Sequence, residues 1–350
     1  MNNVETAPKI KKESKNKIRV EFERTPLAER LKAKFVNLYF FQNVGVYLFK
    51  FLFLLGISYV ILFPFYSKIS SSFMSPEDFV DVTVVMIPRH PTLDTYRAII
   101  TDNNYLTAFT NTFILSFSCA LIQTFVCCLI GYGFAKFKFK FNGLLFLLVI
   151  FTMVVPHATL QLSMFMKFRY FDVLGIVNLL GGGVTESFQI LKNPYLNLLN
   201  TYWPLILLSI TGLGFKNGLY IFMLRQYFKG VPDELEESAY LDGCGVFRTF
   251  VQIILPLSVP MLITVFMFSF SWQWTDTFYT NAFYTTNGPV LMPNIVKIPR
   301  SLDTVYAGQQ MYEAAIRNTC GILILLPLVI LYTFLQRYII QGIERSGITG

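Results

Sequence analysis

Six stretches of this chain run for about 20 residues with few charges, and they restrict the fold more than any other feature. A helix of that length crosses roughly 30 Å of hydrocarbon. Inside lipid every backbone N–H and C=O must be satisfied within the protein, which leaves helices or a closed barrel. A barrel would show short alternating segments, and the sequence has none. Hydrophobic residues make up 54% of the chain and charged residues 14%, against roughly 25% charged in soluble domains. The expected fold is therefore all-α, a polytopic membrane protein with six transmembrane helices. The spans are placed at about Gly45–Tyr66, Thr107–Phe134, Gly143–Phe165, Tyr202–Met223, Phe250–Trp272 and Asn318–Ile340.

Charge placement sets the orientation. Most of the 29 Lys and Arg residues fall in the N-terminal tail, the 2–3 loop, the 4–5 loop and the C-terminal tail. The positive-inside rule puts these segments, and so both termini, in the cytosol. The net charge of +8 is then an orientation signal. A nucleic-acid footprint would need a recognisable module, and none is present in the sequence. The expected organisation is a cytosolic tail at 1–44, a first helix with an outer loop at 45–106, a core transmembrane domain at 107–340 and a short tail at 341–350. The N-terminal tail is too charged for a signal peptide. Residues before about Thr25 read as disordered. Thr25 and Pro26 can then start a helix in which Leu27, Leu31, Phe35 and Leu38 form an apolar stripe. That segment is either an interfacial helix or a solvated linker.

A polar island, Asp233 to Pro256, interrupts the apolar pattern, and the loop that holds it is bounded at 231–250. Pro232 suits a first helical turn, and Asp233 and Glu234 favour its positive end. The helical wheel puts Leu235, Ala239 and Asp242 on one face and Glu236 and Tyr240 on another. Gly243 is placed to end the helix in a left-handed conformation. Small Ser238 and Ala239 suit close approach by a partner. A solvated loop is the plain alternative.

The spacing Glu237-Ser-Ala, then Gly243, then Ile253-x-Leu-Pro256 resembles the EAA loop of ABC importer permeases. With Leu235-Glu-Glu-Ser-Ala-Tyr-Leu-Asp-Gly243, Ile254-Leu-Pro-Leu-Ser-Val-Pro260, Thr92-Leu-Asp-Thr-Tyr-Arg97 and Gln336-Arg-Tyr-Ile-Ile-Gln-Gly342, the chain resembles the smaller membrane subunit of carbohydrate ABC importers, the branch that includes the maltose transporter. The resemblance runs from about Thr92 to the C-terminus. It implies the type I ABC importer permease fold in a bacterial cell membrane. It also implies a second homologous permease, two ATP-binding cassette subunits and an extracellular solute-binding protein, with a sugar or oligosaccharide as substrate. It assigns Glu236, Glu237, Ser238, Ala239, Asp242 and Gly243, with Pro256 beyond them, to ATPase coupling. Ser238 stands where the family usually has Ala. The chain lacks the basic residue often found at such C-termini, and its Asp172–Trp203 outer segment is longer than usual.

No G-x-x-x-x-G-K-[ST] phosphate loop occurs. The chain is thus expected to be non-catalytic, without cofactor or metal, with ATP hydrolysis left to a partner. Lys216 and Asn217 fall near the middle of the fourth span, where a charge is costly and normally faces a cavity or partner. They are the candidates for the translocation path; a structural hydrogen bond to a neighbouring helix is the other reading. Gly214 and Gly218 suit close helix packing. Pro256 and Pro260 should kink the fifth span. Trp272 and Trp274 suit an interfacial belt, or stacking on a sugar. The five cysteines lie outside the expected outer loops, so an extracellular disulfide is not expected. His90 and His157 lack a second ligand nearby in sequence and read as structural. Alternatives from other classes are a permease for a peptide or polyamine, a secondary transporter and a membrane scaffold.

Overall fold

A computed structural model describes residues 10–13, 17–20, 38–173, 175–176, 178, 195–285, 288–302, 304–305 and 308–347. The chain divides into two compact units, Met1–Ser67 and Lys68–Gly350. In the first, β1 (Ile10–Glu13) and β2 (Lys17–Val20) form an antiparallel pair with Ile10 opposite Val20 and Glu13 opposite Lys17. This corrects the expectation of disorder before Thr25 for residues 10–13 and 17–20; the rest of that stretch lies outside the described residues. The helix expected from Thr25 lies outside the described residues. Helix α1 (Leu38–Ser71) follows, and its Val44–Ser71 stretch is apolar, with most of its side chains exposed.

The second unit begins with an irregular segment folded around one carboxylate. Asp78 accepts hydrogen bonds from the backbone N–H of Arg89 and of His90, both at 3.1 Å, and from the His90 ring at 3.0 Å. Burial pushes the Asp78 carboxyl up, but the His90 and Arg89 bonds outweigh it and hold it below the ordinary carboxylate range. This His90 contact agrees with a structural role. Then come α2 (Asp94–Asp102), α3 (Tyr105–Lys136), α4 (Asn142–Val154), α5 (His157–Arg169), α6 (Trp203–Ile210), α7 (Asn217–Lys229) and α8 (Glu234–Leu241). The unit closes with α9 (Val246–Leu257), α10 (Val259–Trp274), α11 (Phe278–Phe283) and α12 (Gln309–Gly347).

Among the described residues three helices, α1, α3 and α12, are each long and apolar enough to cross a membrane, and the count rises to five if each of two bent pairs is one span. The third expected span is not straight. Its halves α4 and α5 meet at 96°, because Val155 precedes Pro156 and is pushed to an extended conformation with ψ 121°. The fourth is broken outright at 211–216, where Gly212 and Lys216 both have positive φ. Lys216 is therefore not in mid-helix, as the hydropathy pattern predicts. It immediately precedes α7. The fifth bends by 74° between α9 and α10. Pro256 and Pro260 each remove a backbone donor there, and one π-helical turn, Phe250–Ile254, precedes the bend.

Helix α3 is the central post. At one end its Cys127, Cys128 and Tyr132 pack with Tyr220, Leu224 and Phe228 of α7 and with Phe250 and Ile254 of α9. Further along, Ala108 and Ala120 pack with Phe270 and Trp274. Lipid gives apolar helices little reason to associate, so tight packing and interhelical hydrogen bonds must hold them. Both are present. Gln123 donates to Ser209 Oγ at 3.0 Å and accepts from Ser269 Oγ at 2.6 Å, tying α3 to α6 and α10. Gly131 and Gly218 lie at close approaches: a Cβ on Gly131 would sit 2.9 Å from Leu224 Cβ, and one on Gly218 would sit 2.7 Å from Thr152 Oγ1. Gly214 and Gly218 fall on either side of the start of α7 and so do not form one helix stripe.

Gly133 supplies a control, because a Cβ there meets nothing within 4 Å. Gly131→Val should destabilise the protein by about 1–3 kcal/mol through overpacking. Gly133→Ala should be neutral or slightly stabilising, since it removes glycine's helix penalty. Thermal midpoints of the detergent-solubilised protein compare the two.

Candidate docking helix and membrane path

Asp233 occupies the N-cap position of α8, and three carboxylates in the first turn complement the helix dipole. At the other end Gly243 has φ 80°. Its N–H bonds Tyr240 O at 3.0 Å, and the Cys244 N–H bonds Ala239 O at 2.9 Å. This is the paired Schellman closure that a left-handed residue makes available.

The α3 terminus fixes the helix to the bundle. Tyr132 Oη donates to Glu236 Oε1 at 2.6 Å. Lys136 Nζ lies 3.4 Å from Glu236 Oε2, and both side chains are under 10% exposed. The same ammonium donates to Val231 O at 2.7 Å and to Asp233 Oδ1 at 2.5 Å. The Lys136 hydrogen bond holds the Asp233 carboxyl below the ordinary carboxylate range. Glu236 thus faces the bundle, and so does Ala239, which is buried. This corrects the wheel reading that put them on different faces, and it corrects Ala239 as a contact for a partner: its small side chain lets α8 approach its own bundle. Glu237, Ser238 and Asp242 remain exposed. Beside them Leu241 is 89% and Phe247 77% exposed, flanking the Gly243-Cys-Gly245 turn.

From that turn the chain enters α9. Phe250 packs on Tyr132 at a tilt of 44°, with ring centroids 4.7 Å apart. Tyr227 Oη of α7 donates to Leu257 O at 2.6 Å, one residue before the bend. Pro256 therefore lies between a clamped turn and a clamped bend.

The second place of interest is the break at 211–216. The Lys216 ammonium sits 4.8 Å from the Phe215 ring centroid and 5.0 Å from that of Trp272. Asn217 is buried, and neither amide atom has a hydrogen-bond partner. Both residues line a cavity of about 350 Å³ with Thr152, His157 and Gly214. Trp272 is half exposed and Trp274 fully buried, its indole N–H donating to Ile324 O at 3.0 Å. Trp274 is thus a core residue, which departs from the belt expectation.

The model of one family, the binding-protein-dependent transport system inner membrane component, matches residues 128–345. The chain belongs to that family. This permease is 27% identical, over 85% of its length and 96% of the relative's, to a polygalacturonan/rhamnogalacturonan transport system permease protein of Bacillus subtilis. It is 28% identical, over 86% and 94%, to a maltodextrin transport system permease protein of Streptococcus pneumoniae. A solved chain from a bacterial ABC transporter involved in alginate import shares the fold with a TM-score of 0.60 at 17% identity, covering 91% of this permease and 99% of that chain. The interrupted spans, a feature shared with secondary transporters, therefore belong here to an ABC importer permease, a multi-pass membrane protein.

The sequence singled out the residues of α8 and its turn, and the structure brings them together at one end of α3. It missed Lys136 and Tyr132, which fix the helix, and Leu241 and Phe247, which extend its exposed face. Two large apolar residues flanking a Gly-x-Gly turn were the available signal for the second pair.

Removing Lys136 would leave Glu236 buried without its cation. Lys136→Met should destabilise the permease by about 3–5 kcal/mol. Asp233→Asn, at an exposed partner of the same ammonium, should change stability little. Thermal midpoints of the two purified variants check the difference.

Proposed function

We propose that this permease is one half of the translocation path of an ATP-driven importer of a sugar or oligosaccharide, and that it takes up the motion of a separate ATPase through α8. The observation that carries the coupling is an exposed rim of Glu237, Ser238, Leu241 and Asp242 on a short helix, with Phe247 exposed just beyond its turn; the helix's inner side is locked to α3. A rigid element of that kind can seat in a cleft of another protein. Its displacement would pass through the Gly243 turn to α9 and the Pro256 bend. The carbohydrate substrate is supported by the names of the two permeases described above, both of saccharide transport systems.

In this reading the chain makes six crossings in a type I importer permease fold, with spans three to five interrupted. Both termini and α8 lie in the cytosol, as the distribution of Lys and Arg indicates. The assembly contains a second homologous permease, two ATP-binding cassette subunits and an extracellular solute-binding protein. Residues 107–340 form the core permease domain, preceded by the tail at 1–44 and the first helix and outer loop at 45–106, and followed by the tail at 341–350. Lys216 and Asn217 line the path.

Two experiments test this. In the coupling test, Gly243→Val places a β-branched residue at φ 80°, at a cost of about 1–2 kcal/mol or more in the turn. It should leave the permease in the membrane but reduce ATPase co-purification and transport. Glu237→Lys should weaken docking by charge reversal. Normal transport by the double variant would end the coupling role. For topology, a cysteine replacing Val82 (93% exposed) and one replacing Leu241 are compared with an impermeant maleimide in intact cells, with Cys244 changed to Ser. Labelling is expected at 82 and not at 241; the reverse pattern would invert the orientation.

A further inference from the structure

The break before α7 holds a combination that packing does not explain. Lys216 is a non-glycine residue held at φ 67°, in the left-handed region that L side chains disfavour. Its ammonium rests against two aromatic rings, and among the described residues no carboxylate lies within ion-pair distance of it. Asp276 shares a small void with Phe215 and Trp272, but its oxygens accept from the Tyr279 N–H at 3.3 Å and the Thr280 N–H at 2.9 Å. The next residue, Asn217, is 1% exposed with both amide atoms unpartnered. A buried amide normally finds partners, and this one borders the same cavity. The N-terminus of the 13-residue α7 begins there too and adds a fixed positive end. Gly214 completes the opening. A Cβ at that position would come within 2.8 Å of Gln123 Nε2 and 3.2 Å of the Asn217 amide.

We propose that this break is a saccharide subsite that selects carboxylate-bearing sugars, with Lys216 pairing with the carboxylate and the Asn217 amide with a neighbouring hydroxyl. The proposal rests on the carbohydrate-import reading above and names the substrate class within it. An ammonium with no internal counter-charge, beside a positive helix end, is matched by an anion and left unpaired by a neutral ring. The half-exposed Trp272 offers an apolar face beside the cation for the body of the sugar.

The test uses the assembled transporter with its partner subunits in proteoliposomes. The probes are trigalacturonate and its fully methyl-esterified form, which share ring stereochemistry and differ in charge; maltotriose is a third, neutral probe. The wild-type complex should take up the acid faster than the ester. Lys216→Gly should reduce that acid-to-ester ratio by about tenfold, the scale of one charge-assisted hydrogen bond. Glycine suits the positive φ, so this variant removes the charge while relieving the backbone. Lys216→Arg should retain most of the preference. An unchanged ratio in Lys216→Gly overturns the proposal, as does a wild-type preference for the ester. Uptake of maltotriose with neither galacturonide overturns it while sparing the carbohydrate reading. Uptake of none of the three removes both.

Discussion

The buried pair between Lys136 and Glu236, closed by the Tyr132 hydroxyl, is the contact on which the exposed end of this bundle depends. Two charges withdrawn from water are costly unless their remaining donors and acceptors are used. Here they are: Lys136 also reaches Val231 O and Asp233, and Glu236 accepts a hydrogen bond from the Tyr132 hydroxyl. The consequence is positional. An eight-residue helix has too few internal hydrogen bonds to be stable alone, so α8 holds its place because α3 supplies a fixed anchor. The same Tyr132 ring packs on Phe228 and Phe250, which places α7, α8 and α9 around one side chain.

That arrangement explains what could be read from the sequence and what could not. The helix from Glu234, its acidic first turn and its stop at Gly243 depend on neighbours in sequence, and all were legible. The facing of Glu236 was not, because it is set by residues about a hundred positions earlier. A helical wheel shows which residues share a side but not which side is turned inward. The spans show the same division. Hydropathy found the six apolar stretches, since the halves of a broken span are both apolar. It could not see the interruption at Val155, where the chain turns without any loss of hydrophobicity, and at 211–216 a lysine and two glycines are outweighed by the apolar residues on both sides. Pro156 was visible, but membrane helices tolerate proline. Lys216 was found as an unusual charge and misplaced into mid-helix for the same reason. The β1–β2 pair was hidden by the charged composition of the tail.

The break at 211–216 lies among polar side chains that are buried without partners. Asn217, Tyr220 and Gln273 all carry buried side-chain atoms with no partner within this subunit. Such groups are expensive in hydrocarbon; Asn217 borders the cavity beside Lys216, and Gln273 the small void beside Phe215.

The turn after α8 has one more consequence. Nothing lies within 4 Å of where a Cβ on Gly243 would stand, yet its φ is 80°. The requirement there concerns handedness and not room. A D-alanine introduced by chemical ligation would enter that backbone region without strain, where L-alanine would not. The end of the helix is thus specified by the handedness of one backbone step, which an achiral α-carbon meets as readily as a D one.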